Sequence, residues 1–130
     1  MISYNDLTAE LLRRFPELQA AYEQQRHWAS EETMQAPHVA YGDLLNPYLI
    51  SLLESGDRPE TTKRIFGFLE ELANHRDLLV QQVVAVTVME QLTDKEEWLT
   101  AAWPYMGPTS RQIAREVAEY WGTSPSFPFG

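Results

Sequence analysis

Two neighbouring runs, Phe66-Gly67-Phe68-Leu69-Glu70-Glu71-Leu72 and Val86-Thr87-Val88-Met89-Glu90-Gln91-Leu92, decide the fold class. Each closes on two apolar residues, an acid, a polar residue and Leu. Around the first, Ile65, Phe68, Leu69 and Leu72 recur at i, i+3, i+4 and i+7, the spacing of a buried helical stripe. Asp57-Arg58-Pro59-Glu60 precedes it in the form of a capping box. Glu60 stands four residues before Arg64, the favourable order for a helical ion pair. Gly67 in mid-helix costs about 1 kcal/mol relative to Ala; a close helix crossing or simple tolerance would each account for it.

The second run overlaps Val80–Val88, a stretch rich in β-branched residues, so a strand competes with a helix there. Three observations favour the helix. Strict alternation fails at Gln81-Gln82 and at Val83-Val84-Ala85-Val86. The apolar segment extends from Leu78 to Leu92, too long for a typical strand. Asn74 and Asp77 supply a helix start ahead of it. Its apolar residues fall on two sides, which predicts a central helix contacted on both flanks.

Outward from this pair the punctuation stays helical. A first helix starts at Asn5 or Asp6, carries Leu7, Leu11 and Phe15, and breaks before Pro16, which donates no backbone hydrogen bond. It resumes with Leu18 and Tyr22 and runs to about Trp28. Residues 30–40 hold no period and read as a loop. Asn46-Pro47 then reads as N-cap and first helical residue, with Leu45, Tyr48, Leu49 and Leu52 on one face and Gly56 as the stop. Towards the other end, Thr93-x-x-Glu96 reads as a capping box for a short helix that holds Leu99, Ala102 and Trp103 and ends at Pro104. Met106-Gly107-Pro108 is a turn, and Thr109-x-x-Gln112 a further capping box. Ile113, Val117, Tyr120 and Trp121 form the last stripe, with Gly122 as its C-cap. Residues 1–122 thus make a single helical domain, and residues 123–130, with two prolines, a disordered tail.

The chain has 130 residues, of which 44% are hydrophobic and none is cysteine, enough for one core without disulfides or thiolate metal sites. The absence of cysteine fits a cytoplasmic protein. Met1–Asp6 shows no basic or apolar signal region, and the longest apolar run, Val83–Met89, falls far short of the roughly 20 residues a membrane helix needs. Nineteen acids against ten bases give a net charge of −9. Such a surface repels nucleic acid and attracts a basic partner; it also serves plain solubility.

No catalytic or metal pattern is present. His27, His38 and His75 lack partners at metal-motif spacing, and no nucleophile elbow, P-loop or Rossmann glycine pattern occurs. The sequence therefore predicts no enzyme, no cofactor and no metal. Two acids stand out. Glu90 shares a face with Leu79, Val83 and Val86, and Glu70 holds the matching position one helix earlier. A buried acid needs a partner or a raised pKa. The two acids would either act together, in proton transfer or in gripping a cation, or serve packing, with Glu90 reaching solvent or pairing with Arg64, Arg111 or Arg115. Trp98, Trp103, Tyr105, Tyr120 and Trp121 cluster late in the chain, core residues first, with any exposed subset suited to anchoring a protein partner. With Glu90, Asp94, Glu96 and Glu97 beside them, the predicted partner-binding set is Glu70, Glu90, Asp94, Glu96, Glu97, Trp98 and Trp103.

Phe15-Pro16-Glu17-Leu18, Leu45-Asn46-Pro47-Tyr48-Leu49, the Val86–Leu92 run and Met106-Gly107-Pro108-Thr109-Ser110 resemble the blocks of a bacterial family of unknown function. The resemblance spans residues 15–122, and the family's small proteins are similar to immunity proteins. Its motifs are caps, turns and core stripes, so it implies no chemistry and no functional residues.

The expectation is an all-α domain of six or seven short helices in antiparallel hairpins, compatible with a HEAT-like or armadillo-like stack, with a central helix at 78–92. The expected function is an acidic protein-binding module, an immunity-type protein masking a basic toxin. A homo-oligomer of structural or regulatory role, and a small enzyme built on Glu70 and Glu90, are the alternatives.

Overall fold

The computed structural model describes residues 2–25, 30, 32, 33 and 36–120. These residues form helices and no strand, so the domain is all-α. Helix α1 (Leu7–Arg14) follows a 3-10 turn at Tyr4–Asp6. At Phe15 the backbone leaves helical space, with φ −128° and ψ 73°, as expected of a residue before proline. A 3-10 turn at Pro16–Leu18 then leads into α2 (Gln19–Gln25). The expected continuation to Trp28 and the C-terminal segment 121–130, with its predicted cap, tail, Phe127 and Phe129, lie outside the described residues.

Helix α3 corrects the sequence reading. It occupies residues 37–55 and starts at Pro37, inside the segment expected to be a loop. Asn46-Pro47, expected to open it, lies in its middle, directly after a widened π segment at Tyr41–Leu45. The physical reason is local. Pro47 offers no N–H to the carbonyl four residues earlier and its ring crowds that carbonyl. The π segment relieves the crowding, and the Asp43 carbonyl accepts instead from Gln25 Nε2 at 3.3 Å. Asn46 is no cap: it is buried, and its Nδ2 donates to the Thr87 carbonyl at 3.1 Å. Gly56 ends α3 as expected, in the left-handed region at φ +67°, its N–H bonded to Leu52 O.

Helix α4 (Pro59–Ala73) buries the predicted stripe of Ile65, Phe68, Leu69 and Leu72, together with Phe66. Its start differs from the expected box. Arg58 is the N-cap, Pro59 opens the helix, and the Asp57 carboxylate accepts from Ser55 Oγ instead. Gly67 is exposed and a Cβ there would meet nothing, so it is a tolerated glycine and marks no crossing. Arg64 leaves Glu60 alone: its guanidinium stacks over the Phe15 ring at 5.2 Å and donates to Arg14 O. The face of a buried ring and a carbonyl outweigh an exposed ion pair of a few tenths of a kcal/mol.

Helix α5 covers residues 78–92, the predicted central element, and Asp77 caps it by accepting from Leu79 N at 2.9 Å. Its β-branched stretch Val83–Met89 is helical but widened into a π segment. Val80, Val83, Val84, Val88, Met89 and Leu92 are buried, and α3, α4 and the two helices that follow pack around it. Leu78, Leu79 and Val86 are left exposed. Helix α6 (Glu96–Ala102) runs into a 3-10 turn at Trp103–Tyr105, and α7 comprises Pro108–Tyr120. The Thr93 capping box does not form: the Thr93 hydroxyl turns back to Glu90 O, and Lys95 is the N-cap of α6.

The core is centred on Phe68, which meets Phe15 edge-on at 5.8 Å and stacks near Tyr41 at 6.5 Å. Tyr41 is fully buried, and its hydroxyl donates to Leu7 O at 3.0 Å, joining α3 to α1. Burial pushes the Tyr41 phenol far above its usual range. No helix among the described residues is long and apolar enough to cross a membrane.

Candidate functional site

Glu70 joins two helices. Its Oε2 accepts from Thr109 N at 3.0 Å and its Oε1 from Ser110 N at 2.8 Å, so a side chain of α4 caps the N-terminus of α7. Asn74 adds a third bond to Oε2 and accepts from the Thr109 hydroxyl. Burial pushes the Glu70 carboxyl up, but the two backbone N–H groups, with the Ser110 hydroxyl and the Asn74 amide, hold it below the usual range. This across-helix cap replaces the local box expected at Thr109-x-x-Gln112, and Gln112 bonds Glu116 instead. It also explains Gly107: a Cβ there would stand 2.4 Å from Glu70 Cδ.

Glu90 lies elsewhere. With Ala85, Val86, Glu116, Val117 and Tyr120 it lines a hollow near the far end of α7. Ser110 and Glu116 are six residues apart on one helix, a rise of about 9 Å, so the two matched acids do not converge. None of Arg64, Arg111 and Arg115 bonds Glu90 among the described residues. A second hollow, lined by Leu78, Gln81, Gln82, Ile113 and the shared Ala85, Glu116 and Val117, adjoins the first. Each holds about 180 Å³. Together they form a groove between α5 and α7, bordered by the exposed Val86 and Tyr120.

The late aromatics divide by charge. Trp103 is bracketed by its own cations, Arg111 at 5.0 Å and Arg115 at 5.5 Å from its ring, and Arg111 also donates to Trp103 O. Its setting is basic, contrary to the expected acidic rim. Trp98 is the reverse. Its Nε1 donates to Glu54 Oε2 at 3.1 Å, Lys95 Nζ lies 4.8 Å from its ring centre, and Glu97 and Leu53 complete a hollow of about 350 Å³. Asp94 and Glu96 are exposed on the same helix start. Of the predicted set, Glu97 and Trp98 therefore meet in one site, with Asp94 and Glu96 beside them in sequence. Glu54 was missed: it comes from α3, and only the packing of α3 on α6 brings it to Trp98.

This hollow is acidic, aromatic and open to the surface. A larger cleft of about 620 Å³ beside α1 is lined by charges that satisfy one another. Arg14 there bridges Glu10 at 3.0 Å and Glu71 at 2.8 Å and stacks over Phe68, while Arg13 bonds Glu10. The Arg14 hydrogen bond holds the Glu71 carboxyl below its usual range, and the Arg13 hydrogen bond does so for Glu10. No group of three metal-binding side chains occurs among the described residues.

A domain of unknown function, DUF7674, matches residues 8–122, from the second residue of α1 through the whole of α7. The chain belongs to the DUF7674 family. No curated protein and no solved structure matches it. The DUF7674 domain takes in the Glu70 cap, the Trp98 hollow and the α5–α7 groove, and leaves residues 123–130 outside.

Proposed function

We propose that the chain is a protein-binding module for a basic partner, acting as an immunity-type protein that masks a toxic basic protein in a bacterial cytoplasm. The observation that carries this reading is the Trp98 hollow. Its indole is held by Glu54, flanked by Glu97, and already carries a cation, Lys95, over its face. A partner's arginine suits the same position: a guanidinium stacks on indole better than an ammonium does, and its fork pairs with carboxylates. The net charge of −9 would steer such a partner in and speed association, with Trp98 as the anchor.

Co-expression with the product of the neighbouring gene tests this. The expected outcome is co-purification that weakens with salt, together with rescue of growth if that product is toxic. Glu54→Gln with Glu97→Gln, both at exposed positions, should weaken binding about tenfold, the scale of one or two lost charge contacts. A neighbour that neither co-purifies nor is neutralised contradicts the reading.

A further inference from the structure

Lys95 and Trp98 stand three residues apart across the start of α6. Their backbones are tied: Trp98 N–H donates to Lys95 O at 3.1 Å, and Leu99 N–H donates to the same oxygen at 3.3 Å. Lys95 is extended, with φ −134° and ψ 130°, and its side chain gives the helix no cap. That side chain instead sets an ammonium 4.8 Å from the centre of the indole ring. The ring itself is oriented from the other side, by the bond from its Nε1 to Glu54 Oε2.

We propose that Lys95 is a built-in place-holder: its ammonium covers the ring face that a partner's arginine takes, and the partner displaces it on binding. The inference rests on the reading of the Trp98 hollow as the partner site, and it adds what controls entry there. Three observations make the cover displaceable. Lys95 is exposed, so its ammonium returns to water when it leaves the ring, on a flexible four-carbon stem. Among the described residues no carboxylate forms an ion pair with it; the ion pairs there join Arg13 and Arg14 to Glu10 and Glu71. Glu54 and Glu97, both exposed, line the same hollow and are open to a group that reaches the ring and a carboxylate together. A guanidinium is such a group, being planar, forked and more weakly hydrated than an ammonium.

The size of the effect follows from the contact. An exposed ammonium over an indole favours the covered ring by about two- to fivefold. A ligand that needs the open ring binds more weakly in proportion to the open fraction. Vacating the ring should therefore tighten binding by about three- to sixfold.

The probe is the blocked peptide Gly-Arg-Gly, titrated into the full-length protein at fixed ionic strength. The Trp98 indole N–H signal is followed by NMR and assigned with Trp98→Phe. The expected result is a saturable shift, with a weaker response to blocked Gly-Lys-Gly. Lys95→Met should lower the midpoint by about three- to sixfold, at high salt as well as low. Lys95→Arg keeps the net charge and supplies a better ring cover, so it should raise the midpoint. Neither variant removes a side-chain cap. The opposed directions separate place-holding from bulk charge, which would leave Lys95→Arg neutral. Equal midpoints in all three proteins, or a Trp98 signal unmoved by the peptide in Lys95→Met, overturn the proposal. The two readings fail separately. A neighbouring gene product that neither binds nor is neutralised contradicts the partner reading and leaves the peptide series standing; a flat peptide series contradicts the place-holder even where such a partner binds.

Discussion

Glu70 and Gly107 form the smallest unit on which the domain depends. The carboxylate caps two N–H groups of a helix some forty residues downstream, and the glycine leaves it room. Gly107→Ala should destabilise the protein by about 1–3 kcal/mol, because the Glu70 side chain must move or the turn must shift. Gly67→Ala should do the opposite, adding roughly 0.5–1 kcal/mol, since the site is helical, exposed and empty. Urea denaturation of both variants checks the pair. The acid limb of stability follows from Glu10, Glu70 and Glu71, whose carboxyls are held below their ordinary value. A group depressed in the folded state stabilises above its unfolded pKa and loses that contribution as pH falls through the folded one. Stability should therefore drop below about pH 4.5, where free carboxyls begin to protonate, and Glu70→Gln should flatten part of that drop in a Tm-versus-pH series. The sequence marked Glu70 as unusual through its matched position. It could not disclose the partners, because a cap supplied by another helix has no local spacing to detect.

At the scale of helices, period was legible and interruptions were not. The stripe in α4, the bounds of α5 and the break at Phe15-Pro16 followed from spacing and proline geometry. Helix α3 was misread because Asn-Pro is also a good helix start; here the π segment before Pro47 relieves its crowding, and contacts to Gln25 and Thr87 engage the Asp43 carbonyl and the Asn46 amide. Contacts on either side of the α3 π segment reach the π segment of α5. His38 and Asn46 on α3 reach the hydroxyl and carbonyl of Thr87, the polar interruption in the valine run of α5. Asn46→Ala removes the donor to the Thr87 carbonyl and should cost about 1–2 kcal/mol, because a part-buried carbonyl loses its partner while the buried Asn46 Oδ1, itself unmatched, is removed with it. Tyr41→Phe, which deletes only the bond to Leu7 O, should cost nearer 1 kcal/mol. If thermal denaturation ranks them the other way, the crossing of α3 and α5 is not the junction described.

Across the whole molecule, charge is sorted by role. Arginines on α1, α4 and α7 cover aromatic faces or bond acids, as Arg14 does between Glu10 and Glu71. Lys95 lies over the Trp98 ring, and the acids around it are exposed. Composition disclosed the excess of acid, and sequence placed Glu97 beside Trp98. Only the fold added Glu54 and moved Trp103 into basic surroundings. As proposed, a basic partner binds at this acidic hollow. The most direct test measures association of the co-purified partner with wild-type protein and with the Glu54→Gln, Glu97→Gln double variant at low and at physiological salt. The account predicts that salt slows association to wild type, that the double variant binds about tenfold more weakly, and that it is less sensitive to salt. Equal affinity and equal salt dependence for the two proteins would contradict it.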